Sequence, residues 1–513
     1  MRRPATSRTL LAATLVTATL AGCTAGPSTR PEVISNDGPA APASAGDKPG
    51  VPLPPLEEPK SPTIKWTDCD EETRARIDQP AALGALKLSC ARVAITVDAP
   101  DLPNRGLSRM SVLKVGTGSI PLVVVNDIDG DPGTLFAAKL AATAPPELLA
   151  KFSLIGVDRR GSGQSTPAQC IPGNVRSDLL DQDPAAESGI EAVLDAARKA
   201  GQQCAIELDT NQTALDSWRA AGDLDQLREE LGMSKLNALG HGEGSRVLTG
   251  YSVRFPSTTG RIVLDGAPDP GPDTAAALDA VAAGLQSTVD GFAKDCAQRK
   301  CALGDASAVL TSVVDKMRKN PSPDAGAGIA LYAISSGLAQ RARWPELADA
   351  LGAANAGDVS KLTAFIEPML SDTRVRPSRL DGALATKCND SATRLPTDQI
   401  QKLAQTMRTK YPLFGGLVAQ QLAWCSPWPV RREPLPPAGT PNVPPVLVIT
   451  TANDPVTPLA GTTKVADQFP TSVRIGWQGT GHGAFTFSPC VTDAARAFLI
   501  DGKIPANGTL CPS

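Results

Sequence analysis

Between about Leu86 and Asp265, short apolar, β-branched runs alternate with charged stretches of helical pattern. That rhythm constrains the chain more than any other feature, because strand, helix and strand in succession close most readily as βαβ units around a mainly parallel sheet. The runs that read as buried strands are Ile120 to Val125, Ser153 to Val157, Leu236 to Leu239 and Arg261 to Leu264. Strand character returns at Pro445 to Thr450 and Ser472 to Trp477. From about Pro272 to Pro434 the chain is alanine-rich and helical in pattern, so it reads as a helical lid inserted between two parts of one core. No period of repetition is visible, which argues against a solenoid.

The N-terminal residues predict export. Arg2, Arg3 and Arg8 precede an apolar run from Leu10 to Leu20, too short to span a hydrocarbon core that needs about 20 helical residues. Leu20-Ala21-Gly22-Cys23 has the form of a lipobox, so Cys23 is expected to carry the lipid and to begin the mature chain. The competing reading is an ordinary cleaved signal with an incidental cysteine. Residues 24–62 are dominated by Pro, Ala, Gly and Ser and read as a semi-extended tether. The expected plan is a signal at 1–22, a tether at 23–62, core at 63–270, lid at 271–435 and core again at 436–513.

An exported chain meets an oxidising compartment. Setting Cys23 aside, the 11 cysteines leave ten, an even number for which disulfides are the default. Order along the chain does not determine connectivity, but neighbours pair as Cys69 with Cys90, Cys170 with Cys204, Cys296 with Cys301, Cys388 with Cys425 and Cys490 with Cys511. A metal centre reads poorly, because there is no CxxC and the whole chain has only two histidines. No cofactor is expected. A net charge of -3 argues against nucleic acid as a partner and leaves the lipid as the only membrane contact.

The segment from Lys235 to Pro256 runs from an apolar strand through a glycine-rich turn into a helix. In a G-x-S-x-G elbow of this kind the middle residue is lifted above the sheet on a sharp turn, and the flanking glycines let strand and helix pack closely. Here the five residues are Gly240, His241, Gly242, Glu243 and Gly244. Both flanking glycines are present and the central hydroxyl is not.

LNALGHGEG and YSVRFP, followed by GRIVLDGAPDP, together with FSLIGVDRRGSGQSTPAQC at Phe152 to Cys170, resemble the tripeptidyl-aminopeptidase-like branch of secreted α/β-hydrolases, a family of serine peptidases and related hydrolases. Cys296 with Cys301, and Cys425 with Trp428 and Pro429, also stand in positions similar to that family's. The resemblance runs from about Trp66 to the C terminus. It implies an α/β-hydrolase fold with a mainly parallel central sheet and a helical lid insertion, and a nucleophile, acid and histidine in that chain order. Asp454 follows the strand PVLVIT and His482 sits in the glycine-flanked loop GTGHGAF, which fits acid and base. An Asp before a proline is often a turn former and a lone histidine often packs, but the joint spacing favours the triad positions. Gly242 then holds the nucleophile position without an oxygen.

Two neighbours could stand in for the missing oxygen: Ser245, three residues on in the first helical turn, and Glu243, a carboxylate beside the elbow. Ser245 reads better as a helix-start residue and Glu243 as an oxyanion N–H donor. The oxyanion region is expected around Asn126, Asp127 and the Glu243 amide. After PLVVV, however, the loop reads Asn126-Asp127-Ile128-Asp129-Gly130-Asp131, and a carboxylate about 4 Å from an oxyanion opposes it by about 4 kcal/mol at an effective dielectric of about 20. A calcium loop fails, since its glycine is misplaced and Ala138 stands where a closing glutamate belongs. Asp127, Asp129 and Asp131 therefore read as a solvated acidic turn.

Three functions follow. The first is a degenerate serine hydrolase on the outer face of the cell membrane that binds peptides or small envelope-derived ligands. The second is an active exopeptidase or esterase using Ser245, Glu243 or a water activated by His482. The third is a solute-binding lipoprotein, which has no need of the Asp454 and His482 loops.

Overall fold

The computed structural model describes residues 51–99, 106–186, 188–322, 325–428 and 435–513. The signal and Cys23 lie outside the described residues. No helix among those described is long and apolar enough to cross a membrane.

Ten strands make one sheet: β1 (Thr67–Asp68), β2 (Leu88–Thr96), β3 (Leu107–Val115), β4 (Ile120–Val125), β5 (Phe152–Val157), β6 (Leu236–His241), β7 (Thr259–Asp265), β8 (Val446–Asn453), β9 (Ser472–Thr480) and β10 (Thr509–Cys511). Their order is β1-β2-β3-β5-β4-β6-β7-β8-β9-β10. From β5 across to β10 every pairing is parallel, and β1, β2 and β3 join that array antiparallel. All six residues of β4 and of β5 are buried, as central strands covered on both faces require. Leu135, Ala138 and Phe498 fill one face, and Leu224, Val247 and Leu248 the other. This is an α/β-hydrolase sheet with helices on both sides.

A helical layer sits above the strands' C-terminal ends, and two excursions build it. One is the expected insertion, which holds the helices between β7 and β8, from Thr274–Arg299 to Gly415–Cys425. The other lies between β5 and β6, where Gly173–Leu180 and Gly189–Leu208 pack Val193, Ala197 and Cys204 into the same apolar cluster as Phe292, Trp344 and Leu384. The part of 63–270 expected to be plain core thus contributes to the lid as well.

The expected tether also ends sooner than 62. Leu53 and Leu56 pack against the core, and the Pro54 carbonyl accepts from Arg261 Nε and Nη2, both at 3.2 Å. Lys60 N–H donates to the Gly232 carbonyl at 2.8 Å. A proline-rich stretch keeps its carbonyls free, which suits it to lie along a surface as a strap when leucines are interspersed. The five disulfides join the neighbouring cysteines as expected, Cys69–Cys90, Cys170–Cys204, Cys296–Cys301, Cys388–Cys425 and Cys490–Cys511.

Candidate functional site

The elbow between β6 and the helix Gly244–Arg254 explains its glycines. A Cβ at Gly244 would run into the Val125 carbonyl and one at Gly240 into the backbone of Ser245. Gly242 has φ +54°, a left-handed conformation that costs an L side chain energy and glycine very little. Asp454 follows β8 and His482 follows β9, both at the edge of the sheet where the elbow lies.

Asp454 is buried and built into its loop. Its carboxylate accepts from Val456 N–H and Thr457 N–H at 2.8 Å, from Thr457 Oγ1 at 3.0 Å and from Gly483 N–H at 3.0 Å. His482 Nδ1 lies 3.0 Å and 3.1 Å from its two oxygens. Acid and histidine therefore meet as the chain order implied.

The other face of the ring holds a carboxylate. Asp127 Oδ2 lies 2.8 Å from His482 Nε2, and Asp127 Oδ1 accepts from Glu243 N–H at 2.6 Å. A Cβ built on Gly242 would overlap the Asp127 carboxylate. Asp127 thus occupies the space a nucleophile side chain would need and takes both of its partners, the imidazole and the amide that would serve an oxyanion. Burial opposes a charge on His482, yet Asp454 and Asp127 hold its ring well above the usual histidine range. Burial likewise works against ionised Asp127, but His482, with help from His241 and the Glu243 amide, keeps it well below the usual carboxylate range. The centre is an imidazole ring clamped between two carboxylates, which together favour its charged form.

The acidic turn is ion-paired and only partly exposed, which corrects the sequence reading of a solvated turn. Asp129 Oδ2 meets Lys387 Nζ at 2.5 Å, and Asp131 meets Lys139 and Arg379, each at 2.7 Å. Arg379 and Lys387 lie eight residues apart, on one face of the lid helix Arg379–Asp390. The acidic loop is where the lid is fastened. Asn126, in the expected oxyanion region, donates from Nδ2 to the Asp131 carbonyl at 2.9 Å and holds the turn.

Neither substitute nucleophile is hydrogen-bonded to His482. Ser245 is fully buried, and its Oγ lies 3.1 Å from the Gly240 carbonyl and 2.5 Å from that of Gly266. Its hydroxyl braces the elbow. The Glu243 carboxylate turns towards Lys387 at 3.7 Å; burial pushes it above its ordinary value, with Lys387 opposing.

Sequence reasoning passed over His241. Its Nδ1 lies 3.3 Å from Asp265 Oδ2 and its Nε2 3.9 Å from Asp127 Oδ2. Its ring centroid is 4.3 Å from that of His482, and Phe136 stacks on its far side at 5.0 Å. Donor atoms of Asp127, His241 and His482 all lie within 4.8 Å of one another. Asp127, Asp129 and Glu243 form a second such group, which Lys387 already fills. A signal was available: both histidines stand between two glycines, in Gly240-His241-Gly242 and Gly481-His482-Gly483, at the ends of strands. A cavity of about 520 Å³ opens on this cluster, lined by Phe136, Arg341 and Lys387 among others, and one of about 620 Å³ lies beyond Lys387, against Glu243 and Trp424.

The fastening of the lid has a pH signature. Burial raises the Asp131 carboxyl, but Arg379 and Lys139 outweigh it and leave it at about 2. A depressed folded value contributes stability that is present above the unfolded value, about 3.9, and lost as pH falls through about 2. Asp131→Asn should therefore cost about 2 kcal/mol at neutral pH. In denaturant titrations at stepped pH the gap to the native chain should shrink below about pH 4 and close near pH 2. A gap unchanged across that range would show that the ion pairs contribute nothing.

Residues 411–511 match the family described as TAP-like protein. Over 494 residues the chain is 28% identical to Serine protease Hip1 of Mycobacterium tuberculosis, covering 89% of this chain and 92% of that protein. It is 29% identical over 500 residues to Carboxylesterase B of the same organism, covering 91% and 92%. To the tripeptidyl aminopeptidase of Streptomyces coelicolor it is 25% identical over 478 residues, covering 87% and 86%.

Proposed function

We propose that this chain, which belongs to the TAP-like α/β-hydrolases, has given up serine hydrolysis and serves at the outer face of the cell membrane as a binding protein for peptides or small envelope-derived ligands. It is anchored there by a lipid on Cys23. The observation that carries the reading is the seat of Asp127. A serine mechanism needs a hydroxyl within reach of the histidine and an amide free to receive the developing oxyanion. Gly242 supplies no hydroxyl, and Asp127 takes both His482 and the Glu243 amide. The Asp454–His482 pair persists as a hydrogen-bonded structural pair, and the cavities under the lid remain as the binding space. Arg341, which lies on the cavity wall and forms no salt bridge with a carboxylate among the described residues, favours ligands that carry a carboxylate, which a peptide C terminus supplies.

The reading that activity persists through Ser245, Glu243 or an activated water has no observation in its favour. Ser245 lies against two carbonyls, and both ring nitrogens of His482 are taken. Protein purified from native membranes should carry its lipid at Cys23 by mass spectrometry, should remain unlabelled by a serine-directed fluorophosphonate and should not hydrolyse aminopeptidase or ester substrates. Stoichiometric labelling that Ser245→Ala abolishes would overturn the silent centre, and an unmodified N terminus well beyond Cys23 would overturn the anchor.

A further inference from the structure

We infer that Asp127, His241 and His482 form a binding site for one divalent transition-metal ion of the zinc type. The inference rests on the same placement of Asp127 as the silent centre, but it concerns occupancy and not turnover.

The chain has only two histidines, and both rings turn Nε2 towards Asp127 Oδ2, from 2.8 Å and 3.9 Å. Two imidazoles and one carboxylate are the donor set that zinc, iron, nickel and copper share, and that calcium and magnesium do not favour. The outer contacts match the inner ones. A metal-bound histidine usually gives its second ring nitrogen to a carboxylate, which settles the tautomer and aims the free nitrogen at the ion. His482 Nδ1 has Asp454 at 3.0 Å and His241 Nδ1 has Asp265 at 3.3 Å. Those carboxylates are themselves fixed by backbone amides. Asp265 accepts from Ala484 N–H at 2.8 Å and from Phe485 N–H at 3.2 Å, and Asp454 from Val456 and Thr457, each at 2.8 Å. Asp127 is anchored through its other oxygen by the Glu243 amide.

The scale also fits. Tetrahedral bonds of about 2.0–2.1 Å set donors about 3.4 Å apart. Here the donors lie within 4.8 Å of one another, so the Asp127–His482 contact opens by about half an ångström and His241 closes by a similar amount. The side chains of Asp127, His482 and His241 are 7%, 8% and 12% exposed, which leaves an entry path and a fourth coordination position on the cavity of about 520 Å³.

The test is a titration of the whole chain, stripped of metal, with Zn²⁺ against a competing chelator, and with Co²⁺ followed by its visible absorption. The expected result is one equivalent bound and a Co²⁺ spectrum of low-coordinate type. His241→Phe, which keeps a ring stacked on Phe136, and Asp127→Asn should each weaken Zn²⁺ binding about ten-fold or more. Asp265→Asn, which acts through His241, should weaken it by a smaller factor. Circular dichroism checks that each variant is folded, and Zn²⁺ should raise the melting temperature of the native chain but not of His241→Phe. Failure of the native chain to bind Zn²⁺ in competition with the chelator, or equal affinity in a folded His241→Phe, would overturn the site. A chain that binds no Zn²⁺ and still resists the fluorophosphonate would sink the metal site alone.

Discussion

Gly242→Ser alone is expected to stay unreactive towards a fluorophosphonate, whereas Gly242→Ser combined with Asp127→Gly is expected to label. A serine at 242 meets two obstacles. Its Cβ overlaps the Asp127 carboxylate, and its hydroxyl finds His482 Nε2 already paired at 2.8 Å. The left-handed backbone, φ +54°, is tolerated by serine at a cost of order 1–3 kcal/mol, which active-site elbows commonly bear. Removing Asp127 clears the space, frees the Glu243 amide for the oxyanion and leaves His482 paired with Asp454 alone, so it can accept a proton. Loss of the nucleophile from a working serine triad costs about 10⁶ in rate. That figure is the ceiling on recovery, and a gain of about 10² or more over Gly242→Ser is expected from the restored amide alone. Asp127→Gly by itself should stay silent for want of a hydroxyl. Labelling of the single Gly242→Ser variant would show that Asp127 moves aside freely and is no plug.

The contrast between what was legible and what was not follows the physics of each signal. β4 matches the expected Ile120 to Val125, and the other five expected strands lie inside or overlap observed ones, because fully buried parallel strands are continuous apolar runs. β2 and β3 were missed. They carry Arg92, Arg109 and Lys114 among their apolar residues and pair at the half-exposed side of the sheet, where the apolar run is broken by charges. The elbow was legible from its glycines, and the Asp454 and His482 loops from the strands before them and the chain order that the resemblance implied. The direction of the Asp127 side chain was not, since nothing local tells a loop carboxylate to point inwards. Its partner His482 lies 355 residues further along the chain. The lid's second half was hidden for a similar reason: the stripe of Val193, Ala197 and Cys204 suits a helix against the sheet or away from it, and only the insertion it packs on decides.

Asp381→Ala is expected to be among the most destabilising single changes in the lid, at about 3–5 kcal/mol. Asp381 is fully buried and sits on the helix Arg379–Asp390 of the main insertion. Its carboxylate accepts from Cys170 N–H at 2.8 Å, from Ile171 N–H at 2.7 Å and from Arg176 Nε at 2.8 Å. All three donors belong to the other excursion, so one side chain ties the two halves of the lid together. Its removal leaves two buried amides and a guanidinium short of partners, and such groups cannot recover water without opening the cluster. Arg176 keeps Asp372 at 2.7 Å, which limits the loss. Asp372→Ala should therefore cost far less, about 1 kcal/mol, because Asp372 is partly exposed and Arg176 retains Asp381. The helix that carries Asp381 also carries Arg379 and Lys387 to the acidic loop, so a loosened lid should exchange its amides faster over residues 379–390 while β4 and β6 keep theirs. Hydrogen exchange and denaturant unfolding of both variants decide it: equal costs for Asp381→Ala and Asp372→Ala, or faster exchange spread evenly over the sheet, would mean that Asp381 is not the tie.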